Sequence, residues 1–132
     1  MNDHFVPVEN HLIDCLQVTA RGPRQNGIFA LWLLVRTCDD VLPPTALSGR
    51  ANRRRLDAMV KRWSSLSLQP GFKKALTRSV CELSTGTDGG VVAALQNLVE
   101  PAREYLGQEA ASALALAVRS AKKTLRQRRT TA

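Results

Sequence analysis

The chain has 132 residues and a formal net charge of +8, and 44% of its residues are hydrophobic. This length favours one domain with a core of its own, and the composition is that of a globular protein and argues against a disordered one. The longest apolar run has eight residues, whereas a membrane-spanning helix needs roughly 20. We therefore expect a single domain over residues 1–132 with no membrane span.

Apolar spacing and chain-breaking residues predict six helices and no strand. The first covers about residues 8–20. The second contains the apolar run IFALWLLV at residues 28–35 and ends before the prolines at 43–44. Because this run has no polar side on a helix, we expect the second helix to lie at the centre of the fold. Its largest side chains are expected to be mostly buried: Phe29, Leu31, Trp32 and Leu34.

The third helix contains the segment GRANRRRLDAMVKRW at residues 49–63, which is both basic and amphipathic. Four of its apolar side chains recur at helical spacing and predict a stripe that packs inward. These are Leu56, Met59, Val60 and Trp63. The opposite side carries arginines and a lysine, with Asp57 as its acidic residue. A fourth helix, also basic, is predicted to begin near Pro70.

The fifth helix follows the turn STGTDGG and extends to Gly107, with Pro101 inside it. A proline within a helix removes a backbone hydrogen bond and clashes with the preceding turn, so we expect a kink or a break near residues 97–100. The last helix covers residues 108–129, and residues 122–132 are expected to be a polybasic and partly frayed C-terminal end. The sequence thus predicts an all-α fold, a compact single-domain bundle of about five to six helices around a buried apolar second helix.

The basic residues are concentrated in the middle of the chain. Residues 45–86 hold nine basic and two acidic side chains, whereas residues 1–44 hold three basic and five acidic ones. A surface selected for solubility alone usually mixes both signs, so a nearly single-signed face indicates a polyanionic partner. The simpler alternative is the solvated side of an amphipathic helix. The candidate contact residues lie on the third and fourth helices and at the C-terminal end: Arg50, Arg54, Arg55, Lys61, Arg62, Lys73, Lys74, Arg78, Lys122, Lys123 and Arg126.

Nucleic acid is the polyanion that we favour, with contact to its backbone and no readout of base sequence. The second helix of a helix-turn-helix motif should begin with polar or basic residues, but the fifth helix begins DGGVVAALQNL, without a positive charge. A platform that stacks single-stranded bases is not expected, because aromatic residues are few and both Trp32 and Trp63 are predicted to be buried. A lipid surface ranks below nucleic acid because the sequence has no lipidation signal and no aromatic-rich amphipathic face.

The alternative function is a protein-interaction module, such as an adaptor, an anti-activator or a secretion-associated factor. In that case the basic face binds an acidic protein, or an apolar groove holds a partner helix. The acidic first third of the chain could also dock on the basic face of a second copy and form a homo-oligomer. Both functions describe a regulatory binding protein.

No arrangement of residues predicts catalysis or a cofactor, so we expect a protein that is not an enzyme. Both histidines lie within the first eleven residues, and no serine has a histidine partner. His11 and Cys15 share one helical face and Cys38 could lie nearby, but a metal site needs three or four converging ligands. Three widely spaced cysteines without a CxxC pair favour free thiols in a reducing cytoplasm. We therefore predict a cytoplasmic protein that binds no metal.

Overall fold

The computed structural model describes residues 5–41, 49–85 and 87–131, apart from the side chains at positions 40, 41, 49, 88 and 127–131. These residues form seven helices and no strand, which confirms the predicted all-α bundle. In chain order the helices are α1 (Val6–Val18), α2 (Pro23–Val41), α3 (Gly49–Ser64), α4 (Pro70–Leu83), α5 (Asp88–Gln96), α6 (Val99–Tyr105) and α7 (Gln108–Thr131). Across the described ranges, no helix has both the length and the apolar character that a membrane crossing requires.

The break predicted around Pro101 is the boundary between α5 and α6. Helix α5 ends at Gln96, and the backbone N–H groups of Asn97 and Leu98 close its last turn on Ala93 and Leu95. Pro101 is the third residue of α6, in a first turn whose N–H groups have no acceptor within the helix. The proline therefore costs no hydrogen bond at this position, and one predicted helix becomes two.

Helix α2 packs against α1, α3 and α5, as its apolar sequence predicted. Leu31 and Leu34 are completely buried, and Phe29 and Trp32 keep a smaller part of their surface exposed. The two aromatic residues share one side of the helix, the side along which α3 lies, and α3 covers that side incompletely. All four large side chains are therefore mostly buried, as predicted, with the leucines completely enclosed and the aromatic residues partly open at one edge.

Helix α3 is anchored to the rest of the bundle at both ends. Near its C-terminal end, the Trp63 indole N–H donates to the backbone carbonyl of Ala30 in α2, at 3.2 Å. Near its N-terminal end, the buried Asn52 amide donates to the backbone carbonyl of Leu83 at the end of α4, at 3.3 Å. Of the predicted apolar stripe, Leu56, Met59 and Trp63 are buried, whereas Val60 is 42% exposed. The fourth buried side chain on this side of α3 is therefore Asn52, and Val60 lies outside the buried stripe.

Helix α7 packs along α1, α5 and α6 through a row of small side chains. The alanines in this row are buried: Ala110, Ala111, Ala113, Ala117 and Ala121. Small side chains permit close approach of neighbouring helices. The packing places the first turn of α7 against the middle of α1, where Glu109 and His11 are hydrogen-bonded with 3.1 Å between Oε2 and Nε2.

Candidate polyanion-binding surface

The outer side of α3 presents its cations to solvent. Because the buried stripe faces the core, the predicted residues on the opposite side are exposed, and these are Arg50, Arg54 and Lys61. Within the described residues, none of the three forms an ion pair. Asp57 is the exposed acidic residue of this helix, so the outer face of α3 is strongly positive.

The remaining predicted cations of α3, Arg55 and Arg62, lie at the edge that faces α2. A cleft of about 360 Å³ runs along this edge. Its lining combines arginines with apolar side chains: Trp32, Leu33, Arg36, Thr37, Arg55, Ala58, Met59 and Arg62. We call it the α2–α3 cleft.

Two stacked aromatic rings lie beside this cleft, and each ring has a guanidinium group against it. The rings of Phe29 and Trp32 stack with their centroids 5.9 Å apart and an angle of 26° between their planes. The Arg62 guanidinium lies 5.5 Å from the Phe29 ring centroid, and the Arg36 guanidinium lies 5.4 Å from that of Trp32. Arg36 also reaches Glu9 of α1, with 3.3 Å between Nη1 and Oε1. Cation–π contact therefore holds these arginines at the rim instead of leaving them free in solvent.

The opposite edge of α3 borders α4 across a second and larger cleft of about 800 Å³. We call it the α3–α4 cleft. It is lined by Arg50, Asn52, Arg53, Leu56, Asp57, Val80, Ser84 and Thr85. The Oδ1 atom of Asn52 is buried there without a hydrogen-bond partner in the described structure. The cations of α3 are thus divided between two clefts and the outer face that connects them.

The predicted cations of α4 are all exposed, but they do not share one side of the helix. Lys73 is seven and eleven residues before Val80 and Ser84, a spacing that places it on the side of α4 that borders α3. Lys74 and Arg78 are one turn apart on another side. Lys73 is therefore the α4 cation that extends the positive surface of α3.

The predicted cations near the C-terminus lie on another part of the bundle. Lys122, Lys123 and Arg126 are exposed on α7. Helix α7 packs mainly against α1, α5 and α6, whereas α3 packs mainly against α2. The described packing therefore does not join these cations to the surface of α3 and α4.

Two basic residues were missed by the sequence prediction. Arg53 lines the α3–α4 cleft beside Arg50, and Arg36 lines the α2–α3 cleft. Arg53 lies in the basic segment already considered, three residues from Arg50, so helical spacing alone could have included it. Arg36 follows Trp32 by four residues in a helix predicted to be central and covered, so its exposure depends on how α3 packs.

The cysteines differ in their surroundings. Cys15 and Cys38 are buried and Cys81 is exposed, and all three are free thiols. Burial raises the pKa of the Cys15 thiol, and the nearby Glu109 and Asp14 carboxylates raise it further. Burial also raises the pKa of Cys38, far above the ordinary range of a thiol.

A group of three metal-ligating side chains forms around Cys15. The donor atoms of His11, Cys15 and Glu109 all lie within 4.8 Å of one another. His11 and Cys15 thus share one face of α1 as predicted, but the third side chain near them is Glu109 of α7. Cys38 is not part of this group.

We compared the chain with known protein families, curated proteins and solved structures. No protein family model, no curated protein and no solved structure matches the chain.

Proposed function

We propose that this protein is a non-enzymatic helical binding module whose basic surface contacts the backbone of nucleic acid without reading its base sequence. The surface comprises the outer side of α3, the rims of its two clefts and Lys73 of α4. The cations near the end of α7 add a further point of contact. The partner is a polyanion, and nucleic acid is the polyanion that we favour.

The observation that carries the proposal is the uncompensated charge of α3 and α4. Within the part of the chain that the structure describes, the following cations of this surface form no ion pair: Arg50, Arg53, Arg54, Lys61 and Lys73. Like charges on neighbouring helix turns repel, and a bound polyanion removes this cost. A surface of this kind favours a partner with regularly spaced negative charges.

The length of α3 suits several phosphates of a duplex. The helix has 16 residues and is therefore about 24 Å long. Duplex DNA carries one negative charge for about every 1.7 Å of its axis, so the cations of α3 and α4 can neutralise about 4–6 phosphates. Contacts of this type supply affinity but no base information, which agrees with the expectation from the sequence that no helix reads base edges.

The salt dependence of binding tests the proposal. We expect the protein to bind fluorescently labelled random-sequence duplexes, with a slope of log affinity against log salt concentration of about −4 to −5. The double variant Arg54→Glu/Lys61→Glu should weaken binding to all sequences alike and flatten the slope by about two, because two phosphate contacts are lost. Its fold should be retained, since exposed substitutions usually change the free energy of unfolding by less than about 0.5 kcal/mol.

A matched control separates a local surface from general attraction to a basic protein. Arg21→Glu/Arg103→Glu changes the net charge by the same amount at two exposed positions that lie outside both the proposed surface and the α7 cations. This variant should keep a slope close to that of the parent. Equal losses in the two variants would indicate diffuse attraction, and unchanged binding in Arg54→Glu/Lys61→Glu would show that the outer face of α3 is only solvated.

The α2–α3 cleft favours a second candidate function, the binding of an acidic protein segment. Its floor includes Trp32, Leu33 and Met59, and its rim carries arginines, so it offers both apolar contact and positive charge. In the same titration, a labelled polyglutamate peptide serves as the probe. If the peptide binds at about 150 mM salt and the duplexes do not, the second function replaces the first.

A further inference from the structure

Three chemically different metal ligands meet where α1 contacts the start of α7. His11 and Cys15 are one helical turn apart on α1, and Glu109 lies in the first turn of α7, 98 residues from His11. We propose that these three side chains form a binding site for a divalent transition-metal ion, and that Zn²⁺ is the ion that fits them best.

The geometry of the group is close to that of a metal site. Zinc lies about 2.0–2.3 Å from its nitrogen, oxygen and sulfur ligands, so two tetrahedral ligands are separated by about 3.3–3.8 Å. The His11 Nε2 and Glu109 Oε2 atoms are 3.1 Å apart, and the three donor atoms all lie within 4.8 Å of one another. The side chains of Glu109 and His11 are 77% and 41% exposed, so both have room to rotate toward a common ion.

The donor set selects the class of metal. Imidazole, thiolate and carboxylate are the three side-chain ligands that zinc uses, whereas Mg²⁺ and Ca²⁺ require oxygen ligands. Three protein ligands leave a fourth tetrahedral position for water or for a ligand from a partner. The carboxylates of Glu109 and Asp14 lie near the Cys15 sulfur and attract a divalent cation, although the Arg24 guanidinium offsets part of their charge.

A bound metal would connect α1 to α7, and this predicts a measurable gain in stability. The 132-residue chain without a histidine tag is freed of metal by chelator and then titrated with Zn²⁺, Co²⁺ or Mg²⁺. We expect one equivalent of Zn²⁺ to bind and raise the melting temperature, because the ion binds the folded state. Co²⁺ should produce the near-ultraviolet absorption of a cobalt–thiolate bond, and Mg²⁺ should have no effect.

Variants assign the ion to this group. Glu109→Gln is the main variant, because its side chain is 77% exposed and its loss should not impair folding. Both it and Cys15→Ser should weaken Zn²⁺ binding by more than about tenfold, a loss at least as large as that from changing an outer-shell residue. Cys15→Ser should also abolish the cobalt–thiolate absorption.

Two controls carry the same substitutions at exposed positions outside the group. Glu104→Gln and Cys81→Ser should bind Zn²⁺ as the parent does. If the parent binds less than about one tenth of an equivalent, the group is a hydrogen-bonded pair beside a structural thiol. If Glu109→Gln retains the parent affinity, the ion binds elsewhere. Either result overturns the proposal.

Discussion

Replacing Leu34 by alanine tests whether α2 is the centre of the fold. The Leu34 side chain is 0% exposed. Its truncation removes three carbon atoms, each worth about 0.8 kcal/mol of lost burial, or about 2.4 kcal/mol together. The cavity left behind adds to this loss, and buried leucines replaced by alanine usually cost about 2.7–5 kcal/mol. We therefore expect the free energy of unfolding to fall by about 3–4 kcal/mol.

The neighbouring Leu33 provides a control with the same chemistry. Leu33 is half-buried and lines the α2–α3 cleft, so solvent can reach the space that its truncation would create. Leu33→Ala should lose only part of the burial energy and leave little cavity behind, so the free energy of unfolding should fall by only about 1–2 kcal/mol. Both variants keep a good helix former at an interior position of α2.

Chemical denaturation followed by circular dichroism measures the free energy of unfolding of the two variants, and thermal melts give their melting temperatures. For a chain of this length, the loss in Leu34→Ala should lower the melting temperature by about 10–20 °C. Equal losses in the two variants would contradict the orientation of α2. If the melting temperature of the parent rose strongly with protein concentration, α2 would instead be stabilised by contact between copies.

Two further predictions concern a glycine and a thiol. Gly90→Ala should lower the free energy of unfolding by about 1–3 kcal/mol, since its new Cβ would lie 2.4 Å from the backbone oxygen of Glu82. A Cβ at Gly89 meets nothing within 4 Å, so Gly89→Ala should be neutral or stabilising by up to about 1 kcal/mol. Thermal melts measure both variants. Burial raises the pKa of Cys38 far above its ordinary value of 9.0, so the folded state keeps a proton that the unfolded chain releases at higher pH. Above pH 9.0 the free energy of unfolding should therefore fall with pH in the parent more steeply than in Cys38→Ala. The difference between the two slopes, measured by denaturation at several pH values, should be up to about 1.4 kcal/mol per pH unit.

The helices were predictable because local sequence decides where a helix can continue. The break near Pro101 follows from the missing N–H of proline, and the exposed side of α3 follows from the spacing of Leu56, Met59 and Trp63. The exposure of the basic residues on α3 was therefore accessible from the sequence. The exposure of Val60 was not accessible from the sequence, because an apolar residue at the edge of a stripe can be buried or exposed. In the structure the edge of the stripe that contains Asn52 is buried, and the edge that contains Val60 is exposed.

The sequence by itself determined the class of fold, the positions of most helices and the concentration of positive charge on α3 and α4. Only the tertiary structure decided which side of the uniformly apolar run in α2 remains open, since a helix that is apolar all round carries no signal of orientation. That packing leaves Trp32 beside the arginines of a cleft. The tertiary structure alone also brings Glu109 to His11, because a contact across 98 residues depends on how α7 folds back on α1, which local spacing does not contain.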